Sequence, residues 1–168
     1  YEIHERLVGS EMCIRDRCAA ERLSALNSEI TIRTYPIRLT EENAQEIISQ
    51  YDIVVDGCDN FSTRYLINDI CAEMGKVYVY GAICGFEGQV SVFHYGEEKK
   101  SYRDLYPDEE EMRRMPPPPK GVMGITPAVT GSIEATEVLK IICGFGEVLS
   151  GKLWTIDLRT LQSNKFSL

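Results

Sequence analysis

The stretch from residue 52 to residue 64 combines the side chains best suited to chemistry in this sequence. A short apolar run ends at Asp56, and Asp59 and Asn60 follow almost at once. An aspartate at the carboxyl end of a buried strand can hold Mg²⁺ against the phosphates of a nucleotide. Asn60 can form hydrogen bonds to a nucleotide or a substrate, and Arg64 can reach an anion. The competing interpretation makes Asp59 only a helix N-cap and Arg64 a surface cation.

A glycine-rich stretch, residues 81–88, is a weaker candidate for phosphate binding. Its three glycines permit sharp turns and close approach of the backbone. The stretch precedes a predicted strand, however, whereas phosphate sites are built at the N-terminus of a helix. We therefore predict a glycine-bent connection between two strands.

Composition and charge exclude several classes of function. The 168 residues carry a formal net charge of −8, which argues against nucleic acid and against docking on anionic membranes. No apolar run reaches the roughly 18 to 20 residues of a membrane-spanning helix. The six cysteines contain no C-x-x-C pair, and there are only two histidines. We expect reduced thiols, no zinc site and a cytoplasmic location.

Hydrophobic periodicity and capping residues predict alternating helices and strands. Helices are predicted at residues 18–26, after the cap Thr40, from Asp59-Asn60 to Gly75, and from Ile125 to Gly144. Strands are predicted at residues 30–35, 52–56, 77–80 and 89–95, and residues 151–168 form a hairpin. This order predicts an α/β fold with a mostly parallel sheet, an added antiparallel strand at 89–95 and a C-terminal hairpin.

Two further segments have distinct patterns. Residues 96–120 are predicted to form a loop, because the four prolines at 116–119 fit neither a helix nor a central strand. The helix after Ile125 is predicted to be mostly buried, with one polar stripe formed by Thr126, Thr130, Glu134 and Glu137. Its small residues are predicted to pack closely in the core or at a subunit interface; they are Gly124, Ala128, Gly131 and Ala135.

Several motifs in register resemble the ThiF/MoeB/HesA family of adenylyltransferases, which are related to ubiquitin-activating enzymes. The motifs are D-x-V-x-D-x-x-D-N-x-x-x-R, G-x-x-G-Q-V, S-Y-R-D-L-Y-P, the proline run and G-V-M-G-x-x-P-x-x-x-G-x-x-x-A-x-E-x-x-K. The resemblance covers about residues 18–168. It implies the C-terminal part of a single Rossmann-like adenylation domain, in which residues 96–120 are the crossover loop over the tail of a carrier protein.

The resemblance also implies a reaction and roles for residues. The family adenylates the C-terminal glycine of a ubiquitin-like sulfur carrier: the glycine carboxylate attacks the α-phosphate of ATP and pyrophosphate leaves. Asp59 would be the carboxylate for Mg²⁺ and ATP, Asn60 an ATP contact and Arg64 a catalytic partner of the phosphates. The loop from Tyr102 to Pro119 and the missing cysteines, with Ser101 and Asp104 where zinc-binding relatives have a C-x-x-C pair, resemble a ThiF-like thiamine-pathway member more than the MoeB type. The carrier stays open between the thiamine type and the molybdopterin type. A homodimer is expected.

The first residues depart from the family pattern. The G-x-G-x-x-G turn, the ribose-binding acid and the following Arg and Lys residues are not recognisable, and residues 15–17 read R-D-R where the Lys should fall. We predict that residues 1–17 are a foreign leader and that this chain alone is inactive and binds ATP weakly. Two alternatives stay open: an NAD(P)-binding oxidoreductase with the same sheet, and an inactive fragment that binds the carrier or dimerises.

Overall fold

The computed structural model describes residues 10–116 and 121–168, and the chain divides into two compact units. The first unit extends to Leu39 and contains helix α1 (Ser10–Leu26), followed by irregular chain. Residues 30–35 lie in this irregular part, so the strand predicted there is wrong. An alternating β-branched pattern favours extended chain, but a strand also needs a hydrogen-bonded neighbour, and the described sheet contains no strand from this segment.

The second unit, Thr40–Leu168, contains the sheet and the remaining helices. Its helices are α2 (Glu41–Ile48), α3 (Phe61–Met74), α4 (Tyr102–Leu105), α5 (Glu109–Arg114) and α6 (Ile125–Cys143). Its strands are β1 (Ile53–Val55), β2 (Val77–Cys84), β3 (Glu87–Phe93), β4 (Lys152–Asp157) and β5 (Gln162–Ser167). None of the helices in the described residues is long and apolar enough to cross a bilayer.

The five strands lie side by side in chain order, and only β1 and β2 are parallel. The predicted α/β fold, the antiparallel third strand and the C-terminal hairpin are therefore confirmed, whereas three of the four strand pairings described are antiparallel, so the sheet is not mostly parallel. Helix α3 provides the crossover that a parallel pair requires, whereas β2 and β3 are joined by a tight turn. Gly85 lies in that turn at φ +58°, which confirms the glycine-bent connection.

The two faces of the sheet differ because side chains alternate along a strand. One face is aliphatic, and α6 covers it; its buried core is Val79, Val90, Val92 and Leu149. The other face is aromatic. There, rings of the strands, α3 and α4 pack with centroids 5.0–6.5 Å apart; they are Tyr78, Tyr80, Phe93, Tyr65 and Tyr102.

Helix α6 turns its polar stripe towards the sheet, and the prediction of a mostly buried helix is wrong. All four stripe residues are buried, whereas Leu139 and Ile142 are 53% and 67% exposed. Three of the four small residues, Gly124, Ala128 and Ala135, are also exposed and do not carry this packing. Two glycines of the neighbouring strands explain why polar side chains of α6 can face the sheet. A Cβ on Gly81 would overlap the Glu134 carboxyl group and a Cβ on Gly88 the Thr130 hydroxyl, so the glycines make room for polar side chains.

The predicted loop at residues 96–120 contains two short helices, so that prediction is wrong in part. Ser101 and Asp104 form a capping box that begins α4. The Asp108 side chain accepts a hydrogen bond from the Glu111 amide at 2.9 Å and so caps α5, whose ion pairs are of the i, i+4 type. Most of the proline run, residues 117–119, lies outside the described residues, as does most of the predicted leader, residues 1–9.

Candidate functional site

The carboxyl end of β1 positions the residues that the sequence singled out. The Asp56 amide donates to the Val79 carbonyl at 2.9 Å, which continues the parallel pairing one residue past the strand. The chain then turns through residues 57–60 into α3. The Asn60 side chain accepts a hydrogen bond from the Thr63 amide at 2.9 Å and caps the helix. Asn60 is therefore the N-cap, and the interpretation of Asp59 as that cap is wrong.

Asp56 and Arg64 form a buried ion pair across this turn. Arg64 Nε donates to Asp56 Oδ2 at 2.8 Å, and the two side chains are only 10% and 0% exposed. The other carboxylate oxygen of Asp56 accepts from the Cys58 amide at 2.7 Å. Tyr78 also donates its hydroxyl to Asp56, at 3.1 Å. The interpretation of Arg64 as a surface cation is wrong, because this side chain is enclosed.

The Nη2 atom of Arg64 connects the turn at residues 57–60 to β2 through two hydrogen bonds. It donates to the Cys58 carbonyl at 2.5 Å and to the Gly81 carbonyl at 3.3 Å. The guanidinium carbon lies 5.6 Å from the centroid of the Tyr80 ring. Arg64 therefore joins α3, the turn at 57–60 and the neighbouring strand.

Burial and the ion pair fix the charge states of this group. Burial by itself would lower the pKa of Arg64, but the Asp56 carboxylate outweighs it, and the pKa lies above its ordinary value. Burial, reinforced by the Asp56 carboxylate, raises the pKa of Cys58 to about 12. The Cys58 thiol is consequently protonated at neutral pH and is not a nucleophile there.

Asp59 has a different environment, although it lies only three residues from Asp56. Its side chain is exposed, and in the described residues its one hydrogen bond comes from Asn60 Nδ2 at 3.2 Å. No group of three or more His, Cys, Asp or Glu residues that could hold a metal occurs within 10–116 and 121–168. A single available carboxylate nevertheless fits Mg²⁺, which proteins commonly bind through one or two carboxylates together with the phosphates of the substrate.

A cleft of about 670 Å³ opens beside this turn. Asp59, Arg64 and Asp157 of β4 are among the residues that line it. Tyr106 and Met115, from the segment around α4 and α5, also contribute to its wall. The residues that line the described cleft do not include Asn60, whose carboxamide is used in the helix cap. The structure thus brings two of the three predicted site residues to one cavity.

The wall of the cleft also contains a hydrogen-bonded group of side chains that the sequence motifs do not single out. Gln89 Nε2 donates to the hydroxyl oxygens of Tyr80 at 2.7 Å and Tyr106 at 3.0 Å. The Tyr106 carbonyl accepts from the Tyr65 hydroxyl at 2.7 Å, which fixes the chain next to α4. The alternation of side chains along β3 is the sequence signal for Gln89, because it places Gln89 on the face of the sheet opposite Val90. Its hydrogen-bond partners, Tyr80 and Tyr106, come from other segments of the chain, so this pattern does not identify them.

Comparison with known proteins identifies relatives. The model of the ThiF family matches residues 14–168. The chain is 47% identical over 151 residues to a "Sulfur carrier protein adenylyltransferase" from Thermus thermophilus, covering 83% of this chain and 53% of that protein. It is 43% identical over 152 residues to a "Probable molybdopterin-synthase adenylyltransferase" from Pyropia yezoensis, covering 89% of this chain and 40% of that protein. The chain therefore spans about half the length of the curated relatives it matches.

Solved structures share the fold. E. coli MccB, in a crystal structure with ATP, superimposes with a TM-score of 0.74 at 18% identity, covering 98% of this chain and 50% of MccB. PaaA superimposes with a TM-score of 0.72 at 13% identity, covering 91% of this chain and 47% of PaaA. At these identities the likeness concerns the fold alone. The match of the family model over residues 14–168 shows that the chain belongs to the ThiF family.

Proposed function

We propose that the full-length protein is an ATP-dependent adenylyltransferase that activates the C-terminal glycine of a ubiquitin-like sulfur carrier protein. The observation that carries this proposal is the Asp59 carboxylate, which is exposed and lines the cleft, whereas its neighbour Asp56 is buried in an ion pair. Relatives at 47% and 43% identity, which are named as adenylyltransferases, support it.

The proposed reaction joins the glycine carboxylate to the α-phosphate of ATP and releases pyrophosphate. This transfer needs positioning and neutralisation of charge and no nucleophile from the protein, in keeping with the protonated Cys58 thiol. Asp59 would hold the Mg²⁺ that accompanies ATP, and the ion, when bound, neutralises phosphate charge. The carrier tail would lie in the cleft, with its glycine towards Asp59.

Arg64 has an indirect part in this proposal. Its guanidinium group is engaged with Asp56 and with the carbonyls of Cys58 and Gly81. We therefore assign Arg64 as a positioning residue that fixes the turn presenting Asp59, instead of the direct catalytic partner that the resemblance implied. Asn60 contributes to the same turn through its helix cap.

Substitution of Asp59 tests the proposal. In the full-length protein, Asp59→Ala should lower ATP–pyrophosphate exchange in the presence of the carrier by about 100-fold or more, because charge stabilisation of the reacting phosphate is lost. The melting temperature should hardly change, since the side chain is exposed and does not cap α3.

Asp52→Ala is the matched control. Asp52 precedes β1, is fully exposed and lies 3.9 Å from Lys76 Nζ, so its loss should leave exchange unchanged. Equal activity of the Asp59→Ala variant and wild type would contradict the proposed role of Asp59. No exchange by wild type with any sulfur carrier would contradict the proposed function.

The finer assignments are also proposals. We propose a carrier of the thiamine type, for which the Ser101 and Asp104 positions are the sequence support, and exchange assays with thiamine-type and molybdopterin-type carriers distinguish the two. The homodimer, the cytoplasmic location, the absence of zinc and the inactivity of this chain alone stay predictions from the sequence.

A further inference from the structure

Helix α6 buries two polar atoms for which the described structure provides no hydrogen-bond partner. They are Glu134 Oε1 and Thr130 Oγ1, on residues that are 7% and 2% exposed. Glu137, one turn further on, is also buried, but its carboxylate accepts from Lys140 Nζ at 2.5 Å and from the Leu149 amide at 2.8 Å. Because an ionised carboxylate is costly to bury without donors, Glu134 is the one of these two glutamates that favours the neutral form.

Glu134 lies next to Gly81 of β2, the residue whose carbonyl is hydrogen-bonded to Arg64. A Cβ on Gly81 would overlap the Glu134 carboxyl group, so this carboxyl group packs against the Gly81 backbone. The Gly81 carbonyl in turn accepts from Arg64 Nη2 at 3.3 Å. Glu134 is thereby connected through one backbone unit to the ion pair that orders the turn at residues 57–60.

We propose that Glu134 is a positioning residue that leaves Arg64 on the Gly81 and Cys58 carbonyls only while its own carboxyl group is neutral. An ionised Glu134 places a second carboxylate near a guanidinium group already paired with Asp56. The two carboxylates then compete for Arg64, and the turn that carries the proposed magnesium-binding Asp59 loses its fixed geometry. The consequence for activity rests on the proposed function, whereas the effect on Arg64 does not.

The burial of Glu134 and the charges around it place its ionisation near neutral pH. Burial, with a further contribution from the Asp56 carboxylate, raises the pKa of Glu134 to about 7, and Arg64 opposes the rise. Within residues 10–116 and 121–168, Asp56 at the end of β1 and Arg64 on α3 are the charged groups that act on the Glu134 carboxyl group. The strands β2 and β3 present Gly81 and Gly88 to this face of α6. The neutral, ordering form therefore predominates below pH 7 and is lost as the pH rises through 7.

The direct test follows the Arg64 Nε–H signal by ¹⁵N nuclear magnetic resonance in the full-length protein between pH 6 and pH 8. In the wild type we expect a shift with a midpoint near pH 7, matching the pKa of Glu134. Glu134→Gln, which mimics the neutral acid, should abolish the shift. Glu137→Gln is the matched control on the same buried stripe and should retain it. A flat signal in the wild type, or an unchanged shift in Glu134→Gln, would overturn the proposal.

The activity test compares pyrophosphate exchange of Glu134→Gln with that of wild type at each pH, so that other pH effects cancel in the ratio. The ratio should grow about tenfold from pH 6 to pH 8, as the neutral fraction of an acid with a pKa near 7 falls. A constant ratio with normal exchange overturns this inference and leaves the proposed function intact. Absence of exchange in the wild type removes the proposed function, and the Arg64 signal still decides the inference.

Discussion

Two aspartates three residues apart, Asp56 and Asp59, have opposite environments within one motif. Asp56 is buried and receives hydrogen bonds from Arg64, Cys58 and Tyr78. Asp59 is exposed and receives one, from Asn60. A carboxylate that is buried and already paired is not accessible to an ion from solvent, whereas an exposed one is. The comparison therefore assigns a structural role to Asp56 and supports the proposal that Asp59 binds a ligand.

The largest expected effect on stability comes from Asp56→Ala. It leaves the Arg64 guanidinium group buried without its counterion, which should cost about 3–5 kcal/mol of the free energy of unfolding. Urea unfolding of the full-length protein measures this loss. Asp59→Ala in the same experiment should change the value by no more than about 0.5 kcal/mol. If the two variants lost equal stability, the division between a structural and a functional aspartate would be wrong.

A smaller effect is expected from Asn60→Ala, which removes the N-cap of α3. Loss of the cap to the Thr63 amide should cost about 0.5–2 kcal/mol of the free energy of unfolding. Ser62→Ala, an exposed position in the same first turn, is the control and should cost less. A fall in pyrophosphate exchange as large as that of Asp59→Ala, without a loss of stability, would instead indicate that Asn60 contacts ATP.

The smallest effect is expected from Arg114→Ala, which contrasts an exposed ion pair with the buried one. Arg114 and Glu110 are paired at 2.7 Å, but their side chains are 78% and 80% exposed. Their separation should cost less than about 0.5 kcal/mol of the free energy of unfolding, because water and salt screen the charges. Thermal unfolding at low and high salt checks this. A loss approaching that of Asp56→Ala would show that burial does not govern the difference between the pairs.

Local patterns predicted most of the elements that the structure contains. The predicted ends of α3 and α6 are confirmed, because Gly75 and Gly144 take the left-handed conformation at φ +63° and φ +66°. The strand predicted at residues 30–35 failed, since a strand depends on a neighbour elsewhere in the chain. Helix α5 lies in the segment predicted as a loop, although its cap Asp108 and its acidic first turn are local signals of a helix. The loop prediction rests on the adjacent prolines, which do not extend into α5.

The sequence by itself determined the order of motifs that placed the chain in the ThiF family, and it brought Asp56, Asp59 and Asn60 to the end of one strand. Only the tertiary structure decided which aspartate is buried. Arg64 is held by a carbonyl 17 residues away, on a strand whose position depends on the whole sheet. The burial of Glu134 likewise depends on a glycine in another element. Capping and periodicity act within a few residues, but burial and ion pairing depend on contacts that form only when distant segments pack together.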